Sequence, residues 1–267
     1  MTVNARRERI LELIRGSGYI AIEELATHFR VTPQTLRADL NQLADEGLLI
    51  RHHGGASIPS SVSNSSYADR RSEFAREKKR IAERIAQWLP DRSSLFLSLG
   101  TTMLAVAHAL RIRKELKVIT NNLEAAQMLV THPGIEVIVL GGRLESRNLG
   151  VSGTSTLAAV EQYRVDVCVF SVGGVDAEGN LLDYHESEVA IARSMMQRAR
   201  KSVLAIDHSK FGRTASVRIG AITEVSAIVT DQPLPPKLRS LLRRHPVEVL
   251  KAERGKAVVE SCHPKGK

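Results

Sequence analysis

Apolar residues recur at the spacing of an α-helix in three short segments near the start of the chain. The first segment runs from Ala5 to Arg15 and the second from Glu23 to Phe29. The third starts at Thr32 and Pro33, where threonine caps the helix and proline occupies its first position. It continues with an apolar stripe formed by Leu36, Leu40 and Leu43. The pattern predicts three amphipathic helices around one small core.

A short β-hairpin is predicted directly after the third helix. Gly47 is expected to end the helix, Leu48 to Ile50 to form a strand, and residues 51–55 to form a flexible basic turn. The extended pair Tyr19-Ile20 is expected to pair with this hairpin. Three helices and a two-stranded wing predict a winged helix-turn-helix, which docks its third helix in the major groove of DNA.

The outer face of the third helix carries short polar side chains and a guanidinium group, which reach base edges or phosphates. The wing adds an arginine and two histidines that suit phosphate contacts. No metal site is expected at these histidines, because no further ligand lies near them in the sequence. The predicted DNA-contacting residues are Thr32, Gln34, Thr35, Arg37, Asn41, Arg51, His52 and His53.

The pattern changes after the predicted wing. Ser57 to Ser66 is rich in serine and predicts a linker. Tyr67 to Gln87 predicts one charged helix with residues 78–80, two lysines and an arginine, on its outside. After Pro90, short apolar runs alternate with helical periods, which is typical of an α/β fold. We predict domains over residues 1–58 and 74–250, a linker over 59–73, and a disordered tail over 251–267.

Small and polar residues follow the ends of several predicted strands. Carboxyl ends of parallel strands share one edge of the sheet, where α/β proteins place ligands. Glycine lets backbone amides approach a phosphate, a helix N-terminus favours negative charge, and lysine and arginine supply counter-charge. One such turn is also explained by tight packing, but several together predict a small phosphorylated ligand. The candidate residues are Gly100, Thr101, Thr102, Thr120, Asn121, Asn122, Gly141, Gly142, Gly173, Gly174, Asp207, Lys210 and Arg213.

Composition adds few constraints. The 267 residues are 43% hydrophobic and 25% charged, which are values of a globular protein. No apolar run approaches membrane-spanning length and the N-terminus lacks the apolar segment of a signal peptide, so we expect a cytoplasmic protein without membrane contact. The two cysteines, Cys168 and Cys262, have no metal-ligand spacing or obvious disulfide role. No cofactor, metal or catalytic residue is predicted.

Two features of charge need interpretation. The net charge is +9, yet the first 58 residues hold seven basic and seven acidic side chains, so DNA binding depends on the motif rather than on bulk charge. The run Asp183-Tyr184-His185-Glu186 suits acid–base chemistry or a metal, but its place after a predicted turn favours a loop. Whether that loop lines the ligand pocket or is simply solvated stays open.

The stretch from Val31 to Ala56 resembles the DNA-binding signature of the DeoR family of bacterial transcription regulators. The chain departs from that signature at Ala38, where the family usually has a second arginine. The resemblance implies a DNA-binding regulator, and one contact to phosphate or base is missing if relatives use that arginine. The matching residues are Pro33, Thr35, Leu36, Arg37, Asp39, Leu40, Leu43, Gly47, Arg51, His53, Gly54, Gly55 and Ala56.

The second half resembles the same family to about residue 250, through LGTTMLAVAHAL, VITNNL, AIDHSKFGR and the pair Thr230-Asp231. The resemblance implies an effector domain similar to the ribose-5-phosphate isomerase fold, in a homo-oligomeric repressor of a carbon-catabolism operon. It also implies release from double-stranded operator DNA by glycerol-3-phosphate. Ser98 and Ala192 replace an aspartate and a lysine found in many relatives, which leaves another sugar phosphate open as the effector.

Two other function classes remain as alternatives. A sugar-phosphate isomerase carrying a DNA-binding module needs a carboxylate base near the carbonyl carbon, and Asp183, Glu186 and Asp207 supply carboxylates. A fold shared with enzymes does not by itself indicate catalysis. A protein-interaction module would show no salt-dependent affinity for DNA.

Overall fold

The computed structural model describes residues 2–45, 48–52, 54–58, 60–61 and 64–252. The first domain contains the helices α1 (Val3–Ser17), α2 (Ile22–Phe29) and α3 (Pro33–Asp45). Its strands β1 (Tyr19–Ala21), β2 (Ile50–Arg51) and β3 (Gly55–Ser57) form an antiparallel sheet in the order β1-β3-β2. The predicted winged helix-turn-helix is confirmed.

One apolar core fixes the position of α3. Ile10 and Ile14 of α1 are fully buried in the same cluster as Leu36 and Leu40 of α3. Burial of each such side chain contributes about 1.5–3 kcal/mol. The backbone N–H of Thr35 donates to Oγ1 of Thr32 at 3.2 Å, so Thr32 caps the helix as the sequence predicts. The opposite face of α3 is therefore free to carry function.

The wing differs from the prediction in the segment that pairs with β1. Strand β3 lies between β1 and β2, with Ile20 opposite Ala56, and β2 is limited to Ile50 and Arg51. Gly55, predicted to lie in the turn, is a strand residue: a Cβ there would lie 2.4 Å from the carbonyl oxygen of Ile20. Only glycine permits that approach. The predicted helix end at Gly47, and His53, lie outside the described residues.

The single helix predicted over residues 67–87 is two helices, α4 (Tyr67–Ser72) and α5 (Ala75–Trp88). The helix is interrupted at Phe74, whose φ of 52° lies in the left-handed region. Lys78 is 5% exposed, so the prediction that it lies outside is wrong: it lies one turn before Ile81 on the buried face of α5. Its neighbour Lys79 stays on the surface.

The second domain contains a parallel sheet and flanking helices. Its parallel strands are β4 (Ser94–Leu97), β5 (Leu116–Thr120), β6 (Ile135–Val139), β9 (Val165–Phe170), β12 (Ala199–Ala205), β14 (Ala227–Thr230) and β15 (Glu248–Lys251). Its further helices are α6 (Thr101–Leu110), α7 (Leu123–Leu129), α8 (Thr154–Glu161), α9 (Glu186–Gln197) and α10 (Pro236–Leu242). The remaining strands are β7 (Arg143–Glu145), β8 (Gly150–Ser152), β10 (Gly174–Val175), β11 (Asn180–Asp183) and β13 (Val217–Ala221).

The seven-stranded sheet has the order β15-β14-β12-β9-β4-β5-β6, and every pair in it is parallel. Successive strand residues point to opposite faces. Leu95 and Leu97 thus pack with α5, α6 and α7, whereas Phe96 packs with α8, α9 and α10. This three-layer arrangement confirms the predicted α/β class.

Two small sheets, β7-β8 and β10-β11-β13, lie outside the main sheet. The first is tied to the carboxyl end of β5, because Val151 N–H donates to the carbonyl oxygen of Asn121 at 2.8 Å. Among the described residues, no helix is long and apolar enough to cross a membrane. The predicted disordered tail starts too early: Lys251 ends β15 opposite Thr230, and Ala252 is buried. The rest of that tail lies outside the described residues.

Candidate effector cleft and DNA-binding surface

A cleft opens at the carboxyl ends of β4, β5 and β9, which is the edge of the sheet where the sequence predicts a ligand. Six of the predicted residues line it together: Gly100, Thr101, Thr102, Asn121, Gly173 and Lys210. Gly100 precedes α6 with a φ of 121°, a conformation that favours glycine. The first amides of a helix lack intrahelical partners, so the start of α6 presents N–H donors to the cleft.

Four cationic side chains line this cleft: Arg147 is paired with Glu188, and the other three are Arg70, Lys78 and Lys210. The Lys78 ammonium donates to the carbonyl oxygen of Glu73 at 2.7 Å and to that of Arg70. It therefore binds the carbonyls at the end of α4, where a positive charge is favourable. Burial lowers the pKa of Lys78. Such a desolvated cation interacts strongly with an anionic ligand.

Lys210 belongs to a short turn that Asp207 caps by accepting from Ser209 N–H at 3.1 Å. Burial and the neighbouring Arg213 lower the pKa of Lys210 to about 8, although Asp207 opposes them. Burial by itself would raise the pKa of Asp207, but Lys210, Ser209 and Lys78 together lower it. Asp207 is 1% exposed and its role is to hold this turn and compensate the lysines.

The cleft also has acidic and amide groups, of which Glu188 and Asn148 were not among the residues predicted from the sequence. Glu188 Oε1 accepts from Arg147 at 2.7 Å and from Asn148 Nδ2 at 3.0 Å. Asp183, at the end of β11, lies in the same wall, and burial raises its pKa. The question whether residues 183–186 line the pocket or are solvated thus has a divided answer. Asp183 and His185 line the cleft, whereas Glu186 is exposed.

Other predicted effector residues serve the framework. Thr120 Oγ1 donates to the carbonyl oxygen of Leu97 at 2.6 Å, and Asn122 caps α7 by accepting from Ala125 N–H at 3.2 Å. Both are buried, but neither lines the cleft. Both residues lie at a strand end, at the edge of the sheet where the cleft lies, but their side chains make hydrogen bonds within the framework.

The remaining predicted glycines also act through packing. A Cβ on Gly142 would lie 2.1 Å from Thr156 Oγ1, and one on Gly174 would lie 2.4 Å from the carbonyl oxygen of Arg213. Gly141 offers its carbonyl oxygen to Thr156 at 2.8 Å. Arg213 itself borders the groove between the two domains. The structure thus places Gly141, Gly142, Gly174, Asp207 and Arg213 beside or behind the cleft wall.

The exposed face of α3 forms the candidate DNA-binding surface. Gln34 and Arg37 lie one turn apart, and Arg37 Nη1 donates to Gln34 Oε1 at 3.1 Å. Ala38 is exposed beside them, at the position where the family signature has arginine. Asp39 points away from this face: it is 2% exposed and accepts from Arg6 at 2.7 Å and Arg7 at 3.0 Å. Arg37 therefore remains uncompensated by Asp39, although the domain is nearly neutral.

The wing residues are engaged with other parts of the protein. Arg51 donates to Asn41 Oδ1, and burial together with Arg37 lowers the pKa of Arg51. His52 Nε2 lies 2.8 Å from Ser57 Oγ, and His52 Nδ1 lies 3.7 Å from Glu73 Oε1. The His52 side chain is only 13% exposed, so in this arrangement it does not face open solvent.

The two domains meet at the break between α4 and α5. The side chain of Glu73 faces the wing, and the carbonyl oxygen of Glu73 accepts from Lys78. Phe74 stacks edge-on against His208 at 5.0 Å, and His208 Nδ1 lies 2.7 Å from Asp231 Oδ2. An interdomain groove, lined by Asn41, Ile50, Phe74 and His208 among others, runs beside this contact. The cleft and the wing are thus joined through one short segment.

A winged helix joined to an α/β domain with a cationic ligand cleft defines a ligand-responsive DNA-binding regulator. Residues 6–62 match the DeoR-like helix-turn-helix domain, and residues 73–232 match the DeoR C terminal sensor domain. The chain belongs to the DeoR family.

Curated relatives match over nearly the whole chain. The glycerol-3-phosphate regulon repressor of Escherichia coli (strain K12) is 41% identical over 93% of this chain and 99% of its own length. The transcriptional repressor CsqR of the same organism is 40% identical over 94% of this chain and 96% of its own. Ribose 5-phosphate isomerase A from Methanocaldococcus jannaschii has a TM-score of 0.40 at 16% identity, covering 52% of this chain and 55% of that one. That likeness is too distant to bear on function.

Proposed function

We propose that this regulator is a repressor that binds operator DNA as a homo-oligomer and is released by a small phosphorylated metabolite. Glycerol-3-phosphate is the first candidate effector, because relatives at 40–41% identity are named for its regulon. Another sugar phosphate is the alternative. The observation that carries the proposal is the convergence of Arg70, Lys78 and Lys210 on a cleft at the start of a helix.

The phosphate is proposed to bind at the start of α6. Its oxygens accept from the first amides of that helix, at Thr101 and Thr102, and from the two lysine ammonium groups. A lysine has three donors, and Lys78 uses two of them on the carbonyls of Arg70 and Glu73, so one remains for the ligand. The effector therefore adds a contact to a lysine that is already fixed in position.

The DNA contacts are proposed to come from Thr32, Gln34, Thr35, Arg37 and Asn41 of the first domain, with Arg51, His52 and His53 at the wing. A homo-oligomer would present two α3 helices to successive major grooves of a near-palindromic operator. Asn41, Arg51 and His52 are held by internal contacts in the described arrangement, so they must be freed or reoriented before they reach DNA.

Coupling between the two sites is proposed to run through Glu73 and Phe74. A phosphate bound to Lys78 stabilises the break between α4 and α5, since the same ammonium holds the Arg70 and Glu73 carbonyls. The break keeps the Glu73 side chain against His52 of the wing. The effector thereby favours the arrangement in which the wing is docked on the sensor domain, and DNA favours the undocked one.

The testing experiment measures binding to both sites. Purified protein is melted with a panel of phosphorylated metabolites, where a hundredfold excess over the dissociation constant adds about 2.7 kcal/mol of apparent stability. The same compounds are then added to a complex with duplex DNA that the protein has selected from a random pool. A compound that raises the melting temperature and releases the DNA supports the proposal. Phosphate esters that neither bind nor release DNA would refute it.

We also propose that the chain is not an enzyme. Asp183, Glu188 and Asp207 supply carboxylates near the cleft, but Glu188 is ion-paired with Arg147, and Asp207 accepts from Ser209 and does not line the cleft. Purified protein should leave pentose phosphates unchanged, as followed by NMR. Catalytic interconversion of aldose and ketose phosphates that is lost in Asp183→Asn would overturn this part of the proposal.

A further inference from the structure

One wall of the cleft carries hydrogen-bond acceptors on Asn121, Asp183 and Glu188, with Arg147 and Asn148 beside them. Glu188 Oε1 takes three donors, from Arg147 Nε at 3.0 Å, Arg147 Nη2 at 2.7 Å and Asn148 Nδ2 at 3.0 Å. In the described part of the chain no group donates to the other oxygen, Oε2. Arg147 and Asn148 thus fix the carboxylate while leaving one oxygen for a ligand.

Asn121 provides an independent acceptor in the same cleft. Its side chain is 1% exposed, and Nδ2 donates to the carbonyl oxygen of Val151 at 3.0 Å. This bond fixes the amide orientation, because the flipped amide would place two oxygens together. Oδ1 of Asn121 is buried and, among the described residues, has no donor. A buried acceptor without a donor is costly, which indicates that a ligand supplies one.

Asp183 extends the acceptor wall. Its Oδ1 accepts from the backbone N–H of Tyr184 at 2.9 Å, and no described residue donates to Oδ2. Glu188 pairs with Arg147, which also contacts Glu145 at 3.0 Å. Several acceptor oxygens in one wall suit a ligand that brings several donors, such as the hydroxyl groups of a polyol.

We infer that the cleft selects phosphate monoesters that carry at least two free hydroxyl groups, and that Glu188 is the residue that enforces this choice. The inference rests on the proposed function and deepens it. The phosphate faces Arg70, Lys78 and Lys210, and the hydroxyls donate to Asn121, Asp183 and Glu188. A phosphorylated carboxylic acid is disfavoured, since its carboxylate would meet the carboxylates of Asp183 and Glu188, and Arg147 is already engaged by Glu145 and Glu188.

The test is calorimetric titration of the full chain with four probes of similar size. Glycerol-3-phosphate has two hydroxyls, propyl phosphate has none, 3-phosphoglycerate has a carboxylate in place of one, and phosphoethanolamine has an ammonium group. We expect propyl phosphate to bind about tenfold or more weakly than glycerol-3-phosphate, because buried acceptors are left unpaired. We expect 3-phosphoglycerate to bind more weakly still than propyl phosphate. Phosphoethanolamine, which brings one donor group instead of two, should bind more weakly than glycerol-3-phosphate.

Glu188→Gln tests the residue itself. This variant keeps one oxygen acceptor and gains an N–H₂ donor. The affinity for glycerol-3-phosphate should fall, and the ratio of the affinity for 3-phosphoglycerate to that for glycerol-3-phosphate should rise by about tenfold. Glu186→Gln is the matched control, because it makes the same charge change on an exposed residue of the same helix. The affinity of inorganic phosphate should be equal in both variants, which shows that the cationic wall is intact.

The outcomes distinguish hydroxyl selection from phosphate sensing. Equal affinity for propyl phosphate and glycerol-3-phosphate, or unchanged selectivity in Glu188→Gln, overturns the hydroxyl inference while leaving phosphate sensing in place. Preference for phosphoethanolamine overturns it in favour of an amine ligand. Failure of every probe, inorganic phosphate included, overturns the proposed function as well.

Discussion

Raising the pH from about 7 to about 9 should weaken the binding of a phosphate ester through Lys210. Burial and Arg213 lower the pKa of this lysine to about 8, so its ammonium form falls from about nine-tenths to about one-tenth of the population across that interval. If the ligand binds only the charged form, affinity falls by about tenfold. The direction is unambiguous, because deprotonation removes a positive charge that faces the anion.

Other titrations in the cleft do not reverse this trend. A phosphate monoester has its second pKa near 6, so the ligand is already a dianion at the lower pH. Burial also lowers the pKa of Lys78, which adds to the loss at high pH. The pH profile should therefore fall on its alkaline side only, starting near the pKa of Lys210.

Calorimetry of glycerol-3-phosphate across this pH range measures the effect. Lys210→Arg is the matched variant, since arginine keeps its charge throughout and should remove most of the alkaline loss. An affinity that stays constant between pH 7 and pH 9, or an equal loss in the arginine variant, would refute the assignment of Lys210 to the anion site.

Three further substitutions test other parts of the structure. Lys78→Met should reduce effector affinity at least tenfold in calorimetry while Lys79→Met, an exposed neighbour, leaves it unchanged; equal effects would contradict the inward position of Lys78. Arg37→Ala should cost about 1–3 kcal/mol of operator affinity in fluorescence anisotropy, with an unchanged value arguing against base contact. Asp39→Asn should destabilise the first domain by about 1–3 kcal/mol, seen as faster hydrogen exchange in α1 and α3, because the buried carboxylate pairs with Arg6 and Arg7.

The elements that local sequence determines were predicted well. The leucine stripe and the Thr32 cap of α3 depend on residues within one or two turns of each other, so helical spacing reveals them. The strand-end turns predicted the edge of the sheet at which the cleft lies, because all carboxyl ends of parallel strands share one edge. The pattern did not predict the contacts of each side chain: Thr120 donates to Leu97 of the neighbouring strand, and Asn122 caps α7.

Long-range pairings account for what was missed. Lys78 was predicted to lie outside because it is charged, yet it shares the buried face of α5 with Ile81, and the carbonyl oxygens of Arg70 and Glu73 accept from its ammonium group. Glu188 and Arg147 come from a helix and a hairpin segment separated by 41 residues, and only the fold brings them together. Arg70 lines the cleft from α4, where a helix was predicted but which lies within residues 59–73, the predicted linker.

The arrangement of the two sites also constrains how regulation works. Glu73 contacts Lys78 through its carbonyl oxygen and the wing through its carboxylate, so occupancy of the cleft and position of the wing share one segment. If the effector favours the docked wing, it weakens operator binding by the ratio of its affinities for the docked and undocked arrangements. Thermodynamic linkage then requires that operator DNA weaken effector binding by the same factor. Glu73→Gln keeps the carbonyl contact and alters only the group that faces His52, so it should reduce that shared factor in both measurements while leaving phosphate affinity of the DNA-free protein nearly unchanged.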